Sequence, residues 1–340
     1  MLRLTLTLLV LLLGLPATAA ADQVRTASYE VTPTMSASVH YPADVRGGSH
    51  PLVVLLHGWF AVCADRRPDA TYEDLYKWPC REGIPQVPSN RGYDYLAESL
   101  ARAGHVVVSV NANHINGGVR GDDEFADRAE LINAHLRLWQ EGVAGRGALA
   151  ARFAGFRVDF DRVGVLGHSK GGRGAFQHSA DGYGYGEWPE GVDVKAVVAL
   201  QPVISGGAIT KVPFLTVIGG CDRVSNPWAE QYYVDSAKQN TVPVHRLMVQ
   251  GANHSFFNTQ WSPSSGQVTA EDDAVPTRPG YCKALDQEEK QLNEREQREA
   301  GVLYLSAFFR RYLDGETRFD ALLSGAERPL PHVIAEVDLP

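Results

Sequence analysis

What this 340-residue chain has little of narrows the field first. It carries four cysteines, with no Cys-x-x-Cys or histidine-rich spacing, so nothing points to a zinc site. No internal repeat recurs, and no Pro-, Gly- or Ser-rich stretch divides the chain, so a solenoid and a flexible linker are both unsupported. Charge of one sign is never concentrated. The formal net charge is −8, and the charged runs at 128–137 and 286–298 mix both signs as solvated helix faces do. A mildly acidic, patternless surface is not expected to bind nucleic acid.

Long apolar runs are missing except at the start. Met1-Leu2-Arg3 supplies one positive charge, Leu4 to Leu15 is almost wholly apolar, and Pro16 to Ala21 ends in small residues. This order reads as a secretory signal peptide, 1–21, cleaved after Ala19 or Ala21. The run is shorter than the about 20 residues a spanning helix needs, so the mature form is expected to have no membrane span. The expected compartment is extracellular or periplasmic, and 22–340 is expected to fold as a single, monomeric domain. In an exported protein an even number of cysteines implies disulfides. Three pairings are possible. Cys63–Cys80 within one loop-like segment and Cys221–Cys282 flanking the last part of the fold are favoured.

Short apolar runs alternate with helical segments. Strands are expected at 52–56, 105–110, 162–166, 196–200, 214–218 and 246–249. Helices are expected over about 93–103, from about 122, after 169, over 228–238, and through much of 286–313. The stretch 29–41 alternates more and predicts antiparallel edge strands. Continuous apolar strands separated by helices mean α/β, a mostly parallel central sheet flanked by helices on both faces. In such a sheet the ligand crevice lies beyond the carboxyl ends of the strands. That rule puts Tyr183, Tyr185 and Trp188, at the opposite rim, into packing roles.

Gly167-His168-Ser169-Lys170-Gly171 fits G-x-S-x-G between a strand and a helix, the setting of a nucleophile elbow. A serine needs a base oriented by a third group. Asp222, after the strand ending at Gly219-Gly220, is the candidate acid. His254, after the strand ending at Val249, is the candidate base. His245, His332 and His168 fail on placement, as do Asp235, Asp272 and Asp273 for the acid. Oxyanion donors are expected from the Lys170 backbone N–H and from the loop His57-Gly58-Trp59-Phe60, through Trp59 or Phe60. Those two residues are also expected to touch substrate. His57 reads as a loop-structuring histidine.

His57-Gly58-Trp59, the 167–172 elbow, Gly220-Cys221-Asp222 and Asn253-His254-Ser255 resemble the α/β-hydrolase superfamily. Within it they are similar to bacterial secreted esterases and lipases of the cutinase, polyester-hydrolase and dienelactone-hydrolase groups. The resemblance covers roughly 31–313. It implies the α/β-hydrolase fold and hydrolysis of carboxylic esters or polyesters through an acyl-enzyme, with no cofactor and no metal. A peptidase or amidase, or a catalytically idle binding protein, are the alternatives. Two features depart from the pattern. Lys170 stands where such polyester hydrolases carry a neutral residue, and is expected to pair with a neighbouring carboxylate. The segment at about 61–90 is a cap-like insertion beside the oxyanion loop. Its Tyr72, Tyr76 and Trp78 are expected to join Trp59 in an apolar wall that favours short-to-medium acyl groups.

Overall fold

The computed structural model describes residues 23–118, 123–226, 228–284 and 287–340. The apolar leader and its cleavage signal lie outside them. The alternating stretch before Pro51 forms β1 (Val24–Thr32) and β2 (Met35–Pro42), an antiparallel pair. The apolar runs become β3 (His50–Leu56), β4 (Val106–Val110), β5 (Val158–His168), β6 (Val194–Leu200), β7 (Phe214–Gly219) and β8 (Val244–Val249). Across the sheet they run β4-β3-β5-β6-β7-β8, every neighbouring pair parallel. β2 adds antiparallel to β4. Past β9 (Pro276–Arg278), β10 (Tyr281–Ala284) and β11 (Gln287–Lys290), the last strand, β12 (Val333–Asp338), adds antiparallel to β8. The result is a nine-stranded, mostly parallel sheet.

The helices are α1 (Tyr72–Tyr76), α2 (Asp94–Arg102), α3 (Asn113–Asn116), α4 (Glu124–Val143), α5 (Ala150–Phe153), α6 (Lys170–Gln177), α7 (Trp228–Ala237), α8 (Glu294–Leu313) and α9 (Asp320–Leu323). Period-two alternation in β3 sends its side chains to two cores. Leu52, Val54 and Leu56 pack with Ile132, Leu136 and Trp139 of α4 and Phe176 of α6. Val53 and Leu55 pack with Leu96 and Leu100 of α2 and Tyr304 and Phe308 of α8. A strand buried on both faces has no use for a polar side chain, which is why its sequence is continuously apolar. Truncating one of these large side chains, Phe308 for example, costs about 3–5 kcal/mol.

The segment before the last long helix differs from the expectation. Helix α8 starts only at Glu294, where Asn293 and Glu296 form a reciprocal capping box. Ahead of it, β9, β10 and β11 build a separate antiparallel sheet, with Tyr281 opposite Lys290 and Cys282 opposite Glu289. The mixed charges at 287–290 thus line an exposed strand rather than a helix face. β12 also went unforeseen, because its pattern is short and it completes a sheet edge built much earlier in the chain.

Both expected disulfides are present. Cys63–Cys80 spans 17 residues inside the insertion, and Cys221–Cys282 ties the turn after β7 to β10. No described helix is long and apolar enough to cross a membrane.

Candidate active site

Ser169 sits between β5 and α6 with φ 59° and ψ −126°. A non-glycine residue in that left-handed region holds of order 1–3 kcal/mol of strain, retained only where the surroundings enforce it. Here strand and helix cross too closely for any relaxed path. A Cβ on Gly167 would lie 1.9 Å from the Gly171 carbonyl oxygen. The Ser169 N–H donates to Leu200 O at 3.0 Å, and its carbonyl accepts from Arg173 N at 3.1 Å, pinning the elbow on both sides.

Asp222 leaves β7 through Gly219-Gly220-Cys221, and His254 leaves β8 through Gly251-Ala252-Asn253. The structure brings the two together: His254 Nδ1 lies 2.9 Å from Asp222 Oδ2. Asp222 Oδ1 accepts the Val224 and Ser225 N–H groups at 2.7 and 2.9 Å, and Oδ2 also accepts from Ser225 Oγ. Burial would raise this carboxyl, but the His254 charge and these donors outweigh it and hold it below the usual carboxylate range. For His254, burial pushes the imidazole down. The Asp222 carboxylate on Nδ1 and Asp273 nearby overcome this and hold it above its ordinary 6.5. No hydrogen bond joins Ser169 Oγ to His254 Nε2 among the described residues. Such contacts are often long in free enzymes and close on substrate.

The imidazole has an aromatic backing. His168 lies 5.0 Å behind it ring to ring and stacks on Trp261 at 4.8 Å. Tyr93 Oη hydrogen-bonds His168 Nδ1 at 3.0 Å. Complete burial holds His168 well below its ordinary value, so it stays neutral beside a charged His254.

The candidate oxyanion loop is fixed through its carbonyls. His57 Nδ1 donates to Gly58 O at 2.8 Å while Nε2 accepts from Ala112 N at 2.8 Å, which sets the tautomer. Asn116 Nδ2 donates to the same Gly58 oxygen at 2.9 Å. Arg128 donates to His57 O at 3.3 Å and to Asn116 Oδ1 at 2.6 Å. In a trans peptide the N–H points opposite the C=O. With Gly58 O held from one side, the Trp59 N–H faces the other way. Gly58 must be glycine, because a Cβ there would meet Ser169 Cβ at 2.6 Å and Lys170 N at 3.1 Å. This contact places Gly58 directly against the Ser169–Lys170 turn, so the loop that carries the two candidate donors, Trp59 and Phe60, starts beside the candidate nucleophile. Burial pushes His57 down to about 3, which keeps it a neutral structural group, as expected.

Lys170 pairs with Glu124 at 3.0 Å, the neighbouring carboxylate expected for it, and lies 5.8 Å over the Trp59 ring. Of the expected aromatic wall, Trp59 stacks on Tyr76 at 4.7 Å and Tyr76 on Tyr72 at 4.4 Å. Phe60, expected to touch substrate, stacks on Trp261 at 5.4 Å. Trp78 does not belong to the wall. It packs where a Cβ on Gly117 would lie 2.3 Å from its own, with His114 edge-on.

Sequence reasoning weighed Asp273 only as the acid and set it aside on placement; its hold on the histidine loop was not foreseen. Asp273 comes 19 residues after His254 in a polar stretch with no periodicity, yet its carboxylate lies against the histidine backbone. Arg128 and Asn116 were missed as well, because a buried Arg on a helix carries no local signal of what it will hold. The described residues include no cluster of three or more His, Cys, Asp or Glu able to hold a metal. A cleft of about 950 Å³ lies on the β1–β2 edge, and neither Ser169, Asp222 nor His254 lines it. Compared with protein-family models and with curated proteins, the chain matches none of them.

Proposed function

We propose that the chain is an exported serine hydrolase of α/β-hydrolase type that cleaves carboxylic esters of short-to-medium acyl length, or polyesters, through an acyl-enzyme. The observation that carries this reading is the strained Ser169 elbow at the same strand ends as the buried Asp222–His254 pair, 2.9 Å apart. The two disulfides and the absence of a membrane-spanning helix among the described residues fit export.

The chemistry follows from these groups. His254 Nε2 takes the Ser169 Oγ proton as Oγ bonds to the ester carbonyl carbon, and Asp222 holds the imidazolium through Nδ1. The Trp59 and Lys170 N–H groups receive the negative charge that develops on the carbonyl oxygen. His254 then returns the proton to the departing alcohol oxygen as the C–O bond breaks. Water repeats the two steps on the acyl-enzyme and restores Ser169. Glu124 holds the Lys170 ammonium, so charge on the substrate's acyl group is not required.

Ser169→Ala is expected to lower kcat by at least about a thousandfold with an unchanged circular dichroism spectrum. A fluorophosphonate is expected to label the unaltered protein at Ser169. Near-normal turnover by a folded Ser169→Ala variant rejects the assignment.

A further inference from the structure

The excursion after the histidine loop, of which only the part from 286 on was assigned in advance, as helix, converges on that loop. Glu289 of β11 accepts the Gly251 N–H at 2.7 Å. Leu292 N donates to Gly251 O at 2.9 Å. Asp272 Oδ1 accepts from Asn253 Nδ2 at 2.8 Å. Asp273 does most: Oδ2 accepts the His254 N–H at 3.2 Å, and Oδ1 accepts the Ser255 N–H at 3.0 Å. The far side of the excursion is tied to the acid loop by Cys221–Cys282. Acid loop, histidine loop and excursion are therefore cross-linked, while Asp273 itself makes no contact with the imidazole nitrogens.

We propose that Asp273 is a positioning residue of the hydrolytic site, bridging the peptide groups on either side of the His254 side chain and stabilising the imidazolium that forms when Ser169 is deprotonated. This rests on the serine-hydrolase reading. Two backbone donors to one buried carboxylate fix the loop that aims Nε2, and the carboxylate charge lies in a low-dielectric setting beside the ring. Asp222 and Asp273 thus flank one histidine with different tasks, Asp222 on the ring and Asp273 on the main chain. The other titratable group facing the ring is His168, which is neutral. Asp272 is engaged by Asn253 and Gln291, and Glu289 by the Gly251 N–H.

The test reads His254 directly by NMR titration of its ring signals in the substrate-free protein, alongside the pH profile of kcat/KM for p-nitrophenyl butyrate. His254 must be neutral to accept the proton, so activity rises with pH through its midpoint. Burial and the Asp222 charge push the Asp273 carboxyl above its ordinary value while His254 and the two backbone donors pull it down; with Asp222 and Asp273 charged, the midpoint of the unaltered protein is expected above 6.5, and one at or below 6.5 overturns the proposal without any variant. In Asp273→Asn one negative charge is gone, so the midpoint and the acid limb are expected to move down by roughly 0.5–1 pH unit, with kcat down about tenfold. A folded Asp273→Asn with an unmoved midpoint overturns it. Glu288→Gln removes a charge from the same excursion where Glu288 pairs with Arg278, away from the histidine. An equal shift there would reduce the effect to general charge and also overturn the proposal. Absence of fluorophosphonate labelling rejects the hydrolase reading instead, which separates the two failures.

Discussion

His57 hydrogen-bonds the carbonyl of the next residue with one ring nitrogen and accepts a main-chain N–H from Ala112 with the other. Both bonds hold the loop main chain, and under the proposed reading the first fixes the Gly58–Trp59 peptide whose N–H would serve the oxyanion. His57→Ala frees that carbonyl on one side and strands the Ala112 donor. The expected outcome is a fall in kcat of about a hundredfold with KM little changed, as for loss of one oxyanion donor. A stability loss of about 1–3 kcal/mol from the orphaned N–H should accompany it. Steady-state kinetics and urea unfolding check the two effects separately. An unchanged kcat would remove Trp59 from the oxyanion site. Asn116 and Arg128 act on the same loop, so their effects will not add to that of His57.

At the scale of elements, the insertion at 61–90 is a folded unit rather than a slack loop. The Val62 and Cys63 N–H groups both donate to Leu75 O, Ala64 N donates to Pro85 O, and Val87 N to Val62 O. Helix α1 carries a capping box at Thr71–Asp74, and Arg67 bridges Asp65 and Asp74. This frame presents Tyr76 and Tyr72 as a stack continuing from Trp59. Each such pair contributes about 0.5–1.5 kcal/mol beyond area burial, enough to hold the rings in place. Under the proposed reading, this stack beside the candidate oxyanion loop would limit the room for added methylenes, each of which would otherwise gain about 0.8 kcal/mol. p-Nitrophenyl acetate and butyrate are therefore expected to outperform the palmitate ester in kcat/KM. Tyr76→Ala should narrow the difference. A palmitate optimum in the unaltered protein would refute the narrow site.

Across the whole molecule, the two disulfides close loops of very different length. In the chain-entropy description a 17-residue loop is stabilised by about 3 kcal/mol and a 61-residue loop by about 4 kcal/mol. Replacing Cys221 and Cys282 by Ser is therefore expected to lower the denaturation midpoint more than replacing Cys63 and Cys80. The kinetic consequences should differ in kind. The first pair joins the Asp222 turn to the excursion that holds His254, so its loss should depress kcat for every ester. The second lies within the insertion, and its loss should alter the acyl-length profile while kcat for the acetate ester is largely kept. The reverse pattern would place the insertion, not the excursion, under the acid–base pair.

The amino-acid sequence alone determined what local and periodic signals encode. Short continuous apolar runs bounded by turn residues and alternating with helical segments read as strands buried on two faces, and the parallel sheet of β3 to β8 followed from them. Gly167, Ser169 and Gly171 can cross only as a tight elbow. Asp222 and His254 were legible because each directly follows a strand of that sheet, and topology brings such ends to one rim. What only the tertiary structure decided involves partners far apart in the chain. Asp273 reaches the His254 main chain because β9, β10 and β11 fold back over the histidine loop, and no residue near Asp273 announces that path. Arg128 reaches the His57 carbonyl only through the packing of α4 on α6, where a Cβ on Gly174 would lie 2.5 Å from Arg128 Cβ. Trp78 packs away from the wall against Gly117, 39 positions on, where any side chain would collide with it. Periodicity reports which face of an element is buried; which distant backbone group a buried polar side chain will hold depends on three-dimensional neighbours that sequence spacing does not encode.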